Sequence, residues 1–283
     1  MATFFNQATL SYSGGTVNSN VTTGEIVEVL SATKTAVVDE YSGGSEITYV
    51  INIVNSGNIA FTGLSVTDDL GAYEFNGATL TPLDYVDGSV KYFVNGVLQP
   101  APTVTAGPPL VVSGINVPPE GVATIAYTAR TNSFAPPASE GTIENTATIS
   151  GGGITEITVS ETVTAEDEPR LDITKSLSPS TVTENGQLTY TFVIRNTGNE
   201  PADATDNVVI TDTFDPALSS ITVTYNGTTW TTPENYTYDE AKGLFTTVPG
   251  AITVPAATFT QDPVTGVWVT NPGSVTVTVT GTI

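Results

Sequence analysis

Two stretches of this chain, about 140 residues apart, follow one pattern. "LSATKTAVVDEYSGGSEITYVINIVNSGNIAFTGLSVTDDL" begins at Leu30, and "LDITKSLSPSTVTENGQLTYTFVIRNTGNEPADATDNVVITDTF" begins at Leu171. Lys34 falls on Lys175, and Asp68 falls on Asp212. Further along, "GSVKYFVNG" matches "SSITVTYNG", and "EGVATIAYTA" matches "PGSVTVTVTG". A period this long lies far outside the solenoid range and predicts tandem domains. Within each copy Val, Thr, Ile, Tyr and Phe recur in short alternating runs, punctuated by turn signals such as "VNG" and "YNG". Alternation with period two is the mark of half-buried strands, so the class is all-β, and one sandwich of about seven short strands fits each copy.

The copies do not end alike. After Ala129 the first continues with "RTNSFAPPASEGTIENTATISGGGITEITVSETVTA", whereas the second reaches Ile283 directly after "VTVTVTGTI". A unit of the missing pattern stands ahead of copy one, at 4–23: "FFNQATLSYSGGTVNSNVTT". The expected division is 1–23 as a donor segment, 24–164 as a first sandwich and 165–283 as a second, incomplete one. A sandwich without its last strands exposes an apolar groove and unpaired backbone groups. Each apolar side chain left exposed forgoes ~1.5–3 kcal/mol, against a total domain stability of ~5–15 kcal/mol. The connector from Gly24 to Ser31 spans at most roughly 28 Å, while a sandwich is ~30 Å across. If the sandwiches lie end to end, the segment reaches a neighbouring subunit's groove and not its own. That is donor-strand complementation, and a head-to-tail contact of this kind builds open filaments unless it closes into a ring.

Charge and composition narrow the function. Acidic residues number 29 against 7 Lys plus Arg, a net charge of −22. Neither a nucleic-acid-binding stripe nor a basic membrane-surface patch can be built from that, whereas the acidic excess keeps strand edges soluble and apart. Cys and His are absent, which removes disulfides, thiol catalysis, zinc sites and the usual general base at neutral pH. No window supplies an EF-hand calcium loop. Neither a metal nor a cofactor is expected, and the only support for a glycosidase-like enzyme is the abundance of acids. "MATFFNQATL" has no basic n-region or apolar h-region, no stretch is long and apolar enough for a membrane helix, and no sorting motif is visible.

A Lys, an Asp and an Asn, each present twice, sit on otherwise apolar strand faces, since residues two apart share a face. Lys34 is in phase with Leu30, Ala32, Ala36 and Val38, and Lys175 with Leu171, Ile173 and Leu177. Asp68 is in phase with Leu64, Val66 and Leu70, and Asp212 with Val208, Ile210 and Phe214. Asn145 is in phase with Ile143, Ala147 and Ile149. Asn6 is in phase with Phe4, Ala8, Leu10 and Tyr12, which together form the donor-strand face. Buried Lys and Asp are costly unless paired. One reading is a hydrogen-bonded Lys–Asp–Asn cluster that sets register. The other is a spontaneous isopeptide bond. Burial lowers a Lys pKa and raises an Asp pKa, a neutral amine attacks the Asn amide, ammonia leaves, and the protonated carboxyl polarises the carbonyl. That bond is expected to need the first-strand Lys and the last-strand Asn as neighbours in one sheet.

"NTATI", "VIRNTGN", "VITDTF" and "LDITKSL" resemble the repeats of the bacterial surface family called domain of unknown function eleven, and the isopeptide-forming domains of Gram-positive fimbrial proteins. The resemblance implies Ig-like sandwiches in surface stalks or fibres. It also implies that Lys34 and Asn145 bond with Asp68 assisting, that Lys175 and Asp212 form a second set without an Asn of their own, and that Asn6 supplies it. The expected role is a structural subunit of an extracellular filament on a cell or spore surface, not an enzyme. Its partner would be itself, in a head-to-tail homopolymer, with no nucleic acid and no membrane insertion. The competing role is a surface adhesin or carbohydrate-binding module, with Trp230, Tyr236, Tyr238 and Trp268 clustered either to stack on sugars or as core and rim aromatics.

Overall fold

The computed structural model describes residues 2–26 and 29–283. Met1, at the head of the donor segment, and Val27 and Glu28, in the connector, lie outside the described residues. The described chain is strands and loops with a single short 3-10 turn at Ala204–Asp206.

Alternation dictates the layers. Strand Glu46–Asn55 buries Ile47, Tyr49, Ile51 and Ile53 on one face, and strand Gly121–Thr131 buries Ala123, Ile125, Tyr127 and Ala129. These two pair along their length, with Leu30–Ala36 added beyond Glu46–Asn55. The facing sheet is ordered Thr103–Thr105, Leu110–Val117, Phe61–Asp68, Thr142–Gly151, Ile157–Ala165 and Glu40–Tyr41. Side chains of both sheets interlock in one core that includes Tyr49, Ile125, Leu64, Val112, Ala147 and Val163. Each sheet has six strands, so the expectation of about seven in all was too low. The surplus is short strands inside what the pattern reads as loops, such as Leu83–Tyr85 and Thr103–Thr105. The "VNG" and "YNG" signals form tight hairpins, with Asn95–Gly96 and Asn226–Gly227 both at positive φ, as type I′ turns require.

A second core, around Phe192, Ile210, Phe214, Phe245 and Val277, repeats the plan. Leu171–Ser178, Gln187–Asn196 and Gly273–Thr282 pair as their first-copy counterparts do. Lys34 lies opposite Ile51 and Lys175 opposite Phe192; Tyr127 lies opposite Tyr49 and Val279 opposite Tyr190. The plan breaks in the facing sheet. Phe61–Asp68 is paired on both sides, whereas among the described residues its counterpart Thr211–Thr213 is paired on one side only, with Leu244–Thr247. Hairpin Thr258–Gln261/Trp268–Asn271 reaches back to the first copy, where Trp268 N donates to Ser133 O at 3.0 Å and Gln261 Nε2 to Tyr73 Oη at 2.9 Å.

The N-terminal segment is a two-stranded hairpin, and it continues past Thr23. Ala2–Asn6 pairs with Thr22–Ile26, and Thr9–Tyr12 with Gly15–Asn18. Among the described residues neither strand pair joins another sheet.

Candidate functional site

The first polar set is fully enclosed. Lys34 is 4% exposed, Asp68 1% and Asn145 0%. Lys34 Nζ donates to Asp68 Oδ2 at 2.7 Å, and Tyr127 Oη donates to the same oxygen at 2.6 Å. Asn145 Nδ2 donates to Tyr127 Oη at 2.9 Å, while Leu70 N donates to Asp68 Oδ1 at 3.1 Å. Lys34 Nζ also lies 5.0 Å from the centre of the Tyr49 ring, which stacks on that of Tyr127.

Contrary to the expectation from the sequence, Lys34 and Asn145 therefore do not meet as neighbours in one sheet. Lys34 is on a strand of the first sheet and Asn145 on a strand of the facing one, and Asp68 and Tyr127 link them across the core. The reason is the pairing. Leu30–Ala36 lies beside Glu46–Asn55, whereas Thr142–Gly151 is claimed by Phe61–Asp68, which sets Ala147 opposite Asp68.

Tyr127 is the member that sequence reasoning missed. It occupies an inward position of its strand, which is itself a signal, but the second copy has Val279 there, and comparing the repeats hides it. Among the described residues, two buried polar atoms at this site, Tyr49 Oη and Asn145 Oδ1, have no hydrogen-bond partner. An unpaired buried group costs ~1–3 kcal/mol, and such groups are few in native structures.

Burial pushes the Lys34 ammonium below its ordinary value of 10.5, and the Asp68 carboxylate pulls it partly back. Burial pushes the Tyr127 phenol up, reinforced by Asp68, and burial does the same to Tyr49. The sign follows for an Asn145→Ala variant, whose Lys34 keeps a free amine. Between the lowered Lys34 value and 10.5 the unfolded chain binds more protons than the folded one, so stability rises with pH. Above 10.0 the tyrosines of the unfolded chain ionise first, and the trend turns over. Urea midpoints of this variant should climb as the pH rises toward 10. A flat or falling profile would mean that the amine is not held desolvated.

The second set is open. Lys175 Nζ contacts Asp212 Oδ2, with side chains 40% and 19% exposed, and the ammonium sits 4.4 Å from the Tyr190 ring centre. Leu171, Ile173, Leu177 and Val209 are exposed, whereas Leu30, Ala32 and Ala36 in the first copy pack on the core. What covers the first set is the hairpin Thr142–Gly151/Ile157–Ala165. In it Asn145 stands opposite Glu161, 16 positions on; in the N-terminal hairpin Asn6 stands opposite Thr22, also 16 positions on. Phe4, Leu10 and Tyr12 of that hairpin are exposed, as are Phe5, Val17 and Val21, and Asn6 and Ala8 touch neither site.

The four aromatics do not form a surface cluster. Trp230 and Tyr236 belong to the second core, Tyr238 donates to Leu218 O at 2.7 Å beside it, and Trp268 lies on the hairpin that reaches the first copy.

No protein-family model matches the chain, and no curated protein matches it. Among solved structures it is similar to the C-terminal domain of the AgI/II polypeptide BspA of Streptococcus agalactiae, at 14% identity and TM-score 0.39, covering 89% of this chain and 91% of that one. A variant of BcpA, the major pilin subunit of Bacillus cereus, is 12% identical with TM-score 0.39, covering 95% and 73%. The pilus backbone RrgB of Streptococcus pneumoniae is 13% identical with TM-score 0.35, covering 86% and 55%. At likenesses this low, function has to be argued from the geometry of the chain itself.

Proposed function

We propose that the chain is the structural subunit of an extracellular, pilus- or appendage-like filament on a cell or spore surface. In this reading 24–164 and 165–283 are two Ig-like sandwiches, and the N-terminal hairpin is a donor that completes the second sandwich of the next copy, head to tail. The observation that carries it is the pairing of two incomplete surfaces: an exposed apolar hairpin with the spacing of Thr142–Gly151/Ile157–Ala165, and a one-sided Thr211–Thr213 edge beside exposed Leu171, Ile173 and Leu177. Strand addition to an open edge satisfies backbone groups and buries alternate side chains together. Carrying over the first-copy register, in which Ala147 faces Asp68, Ala8 would face Asp212 and bring Asn6 toward Lys175. Lys34 and Asn145, with Asp68 assisting, form an isopeptide bond within the subunit, and Lys175 and Asn6, with Asp212 assisting, form one between subunits.

Electron microscopy of the purified chain should show filaments, and an excess of synthetic peptide 2–26 should shorten them by capping grooves. Dispersed monomers at every concentration would refute the assembly. The bond inside the subunit has its own readout. Intact mass should lie about 17 Da, one ammonia, below the sequence mass, by amine attack on an amide. Asp68→Ala should restore the full mass. An unmodified mass at the first site would leave the hydrogen-bonded cluster alone.

A further inference from the structure

Formation of the first bond poses a proton problem. The amide nitrogen of Asn145 leaves as ammonia, so it must gain a proton, yet Lys34, Asp68 and Asn145 are all sealed from solvent. The hydrogen bonds of the first set form one unbranched path: Lys34 Nζ to Asp68 Oδ2, Tyr127 Oη to the same Oδ2, and Asn145 Nδ2 to Tyr127 Oη, at 2.7, 2.6 and 2.9 Å. Asp68 needs no rotation, because one oxygen serves both the amine and the phenol while Leu70 N holds the other. Among the described residues the Tyr127 hydroxyl is the group hydrogen-bonded to the leaving nitrogen.

We propose that Tyr127 is a catalytic residue of intrachain bond formation, a relay that carries a proton from Asp68 to the departing nitrogen of Asn145. The inference rests on the Lys34–Asn145 reading above. Lys34 passes a proton to Asp68 Oδ2, and its amine lone pair attacks Asn145 Cγ, forming the new C–N bond. Asp68 now donates to Tyr127 Oη, and Tyr127 donates its own proton to Nδ2, which has become a basic amine at a tetrahedral carbon. The Cγ–Nδ2 bond breaks and ammonia departs. The new amide nitrogen returns its surplus proton to Asp68, which surrenders it to the ammonia as ammonium. Every bond in the path reverses its donor once, which a hydroxyl does by rotation. In the second copy Val279 stands where Tyr127 stands, so the bond between subunits lacks this relay and forms more slowly than the one inside.

The test is Tyr127→Phe in the full chain, with newly synthesised protein sampled by intact mass over time. A positioned proton-transfer group contributes 10²–10⁴-fold, so loss of ammonia should slow on the order of 10²-fold while the circular dichroism spectrum stays that of wild type. Equal rates in variant and wild type would overturn the relay and leave the bond itself standing. A wild type that never loses ammonia would overturn both. Should the variant not fold, 3,5-difluorotyrosine at position 127 keeps the shape and acidifies the hydroxyl. A relay then responds with a changed rate, and an unchanged rate overturns it.

Discussion

A chain lacking residues 1–23 is expected to stay monomeric, and its second core to melt well before its first. In the assembled state the donor hairpin would cover Leu171, Ile173 and Leu177 and bury its own Phe4, Leu10 and Tyr12, all exposed in the single chain. At ~1.5–3 kcal/mol for each fully buried side chain, even partial burial of six reaches the net stability of a domain, ~5–15 kcal/mol. With a shift of roughly 4 °C per kcal/mol, the lower transition should fall by 10 °C or more. Calorimetry should resolve two transitions in the truncated chain, and peptide 2–26 should raise the lower one by about 2.7 kcal/mol at 100 times its Kd. The first core supplies its own hairpin, so its transition should not respond to peptide. A truncated chain that still polymerises and melts like the intact one would end the donor-strand reading. A groove filled instead by some other segment would show as a lower transition that ignores the peptide.

Wild-type filaments are expected to run as ladders after boiling in SDS, and Asn6→Ala or Lys175→Ala filaments to fall to single subunits. Both variants should still assemble, since Asn6 and Lys175 account for little of the apolar surface that drives docking. The docked Lys175 loses the water that reaches it in the open groove, and a desolvated amine is the nucleophile that the chemistry needs. A covalent link of this kind would resist reductant as well as heat, in a chain without a cysteine. Mass spectrometry of a digest should find one branched peptide joining the Asn6 and Lys175 regions. Wild-type filaments that collapse in hot SDS and yield no such peptide would leave insertion without the bond.

Much of this was legible in the chain. Alternation marks which side of a strand faces inward, and Leu64, Val66, Asp68 and Leu70 are buried as their spacing predicts. Asn145 was placed inward in the same way, as was Lys34, because a local period of two needs no knowledge of partners. What alternation cannot supply is which sheet a strand joins. Lys34 and Asn145 are both inward, but whether they lie side by side or face across the core is decided by pairings between distant strands. Those pairings set Thr142–Gly151 against Phe61–Asp68. Tyr127 became visible as the bridge only when those strands closed the core around it. The pattern of the N-terminal segment fits strands over 4–12 alone or a hairpin reaching Val21, and the segment folds as a hairpin to Ile26, because backbone pairing needs a second strand wherever no sheet is offered. The sequence by itself determined the long strands of the first copy, the inward faces that carry Lys34, Asp68 and Asn145, and the repeat, all of which follow from local side-chain chemistry. Only the tertiary structure decided which inward groups share a hydrogen bond and which edge stays open, because both depend on long-range packing that no local pattern encodes.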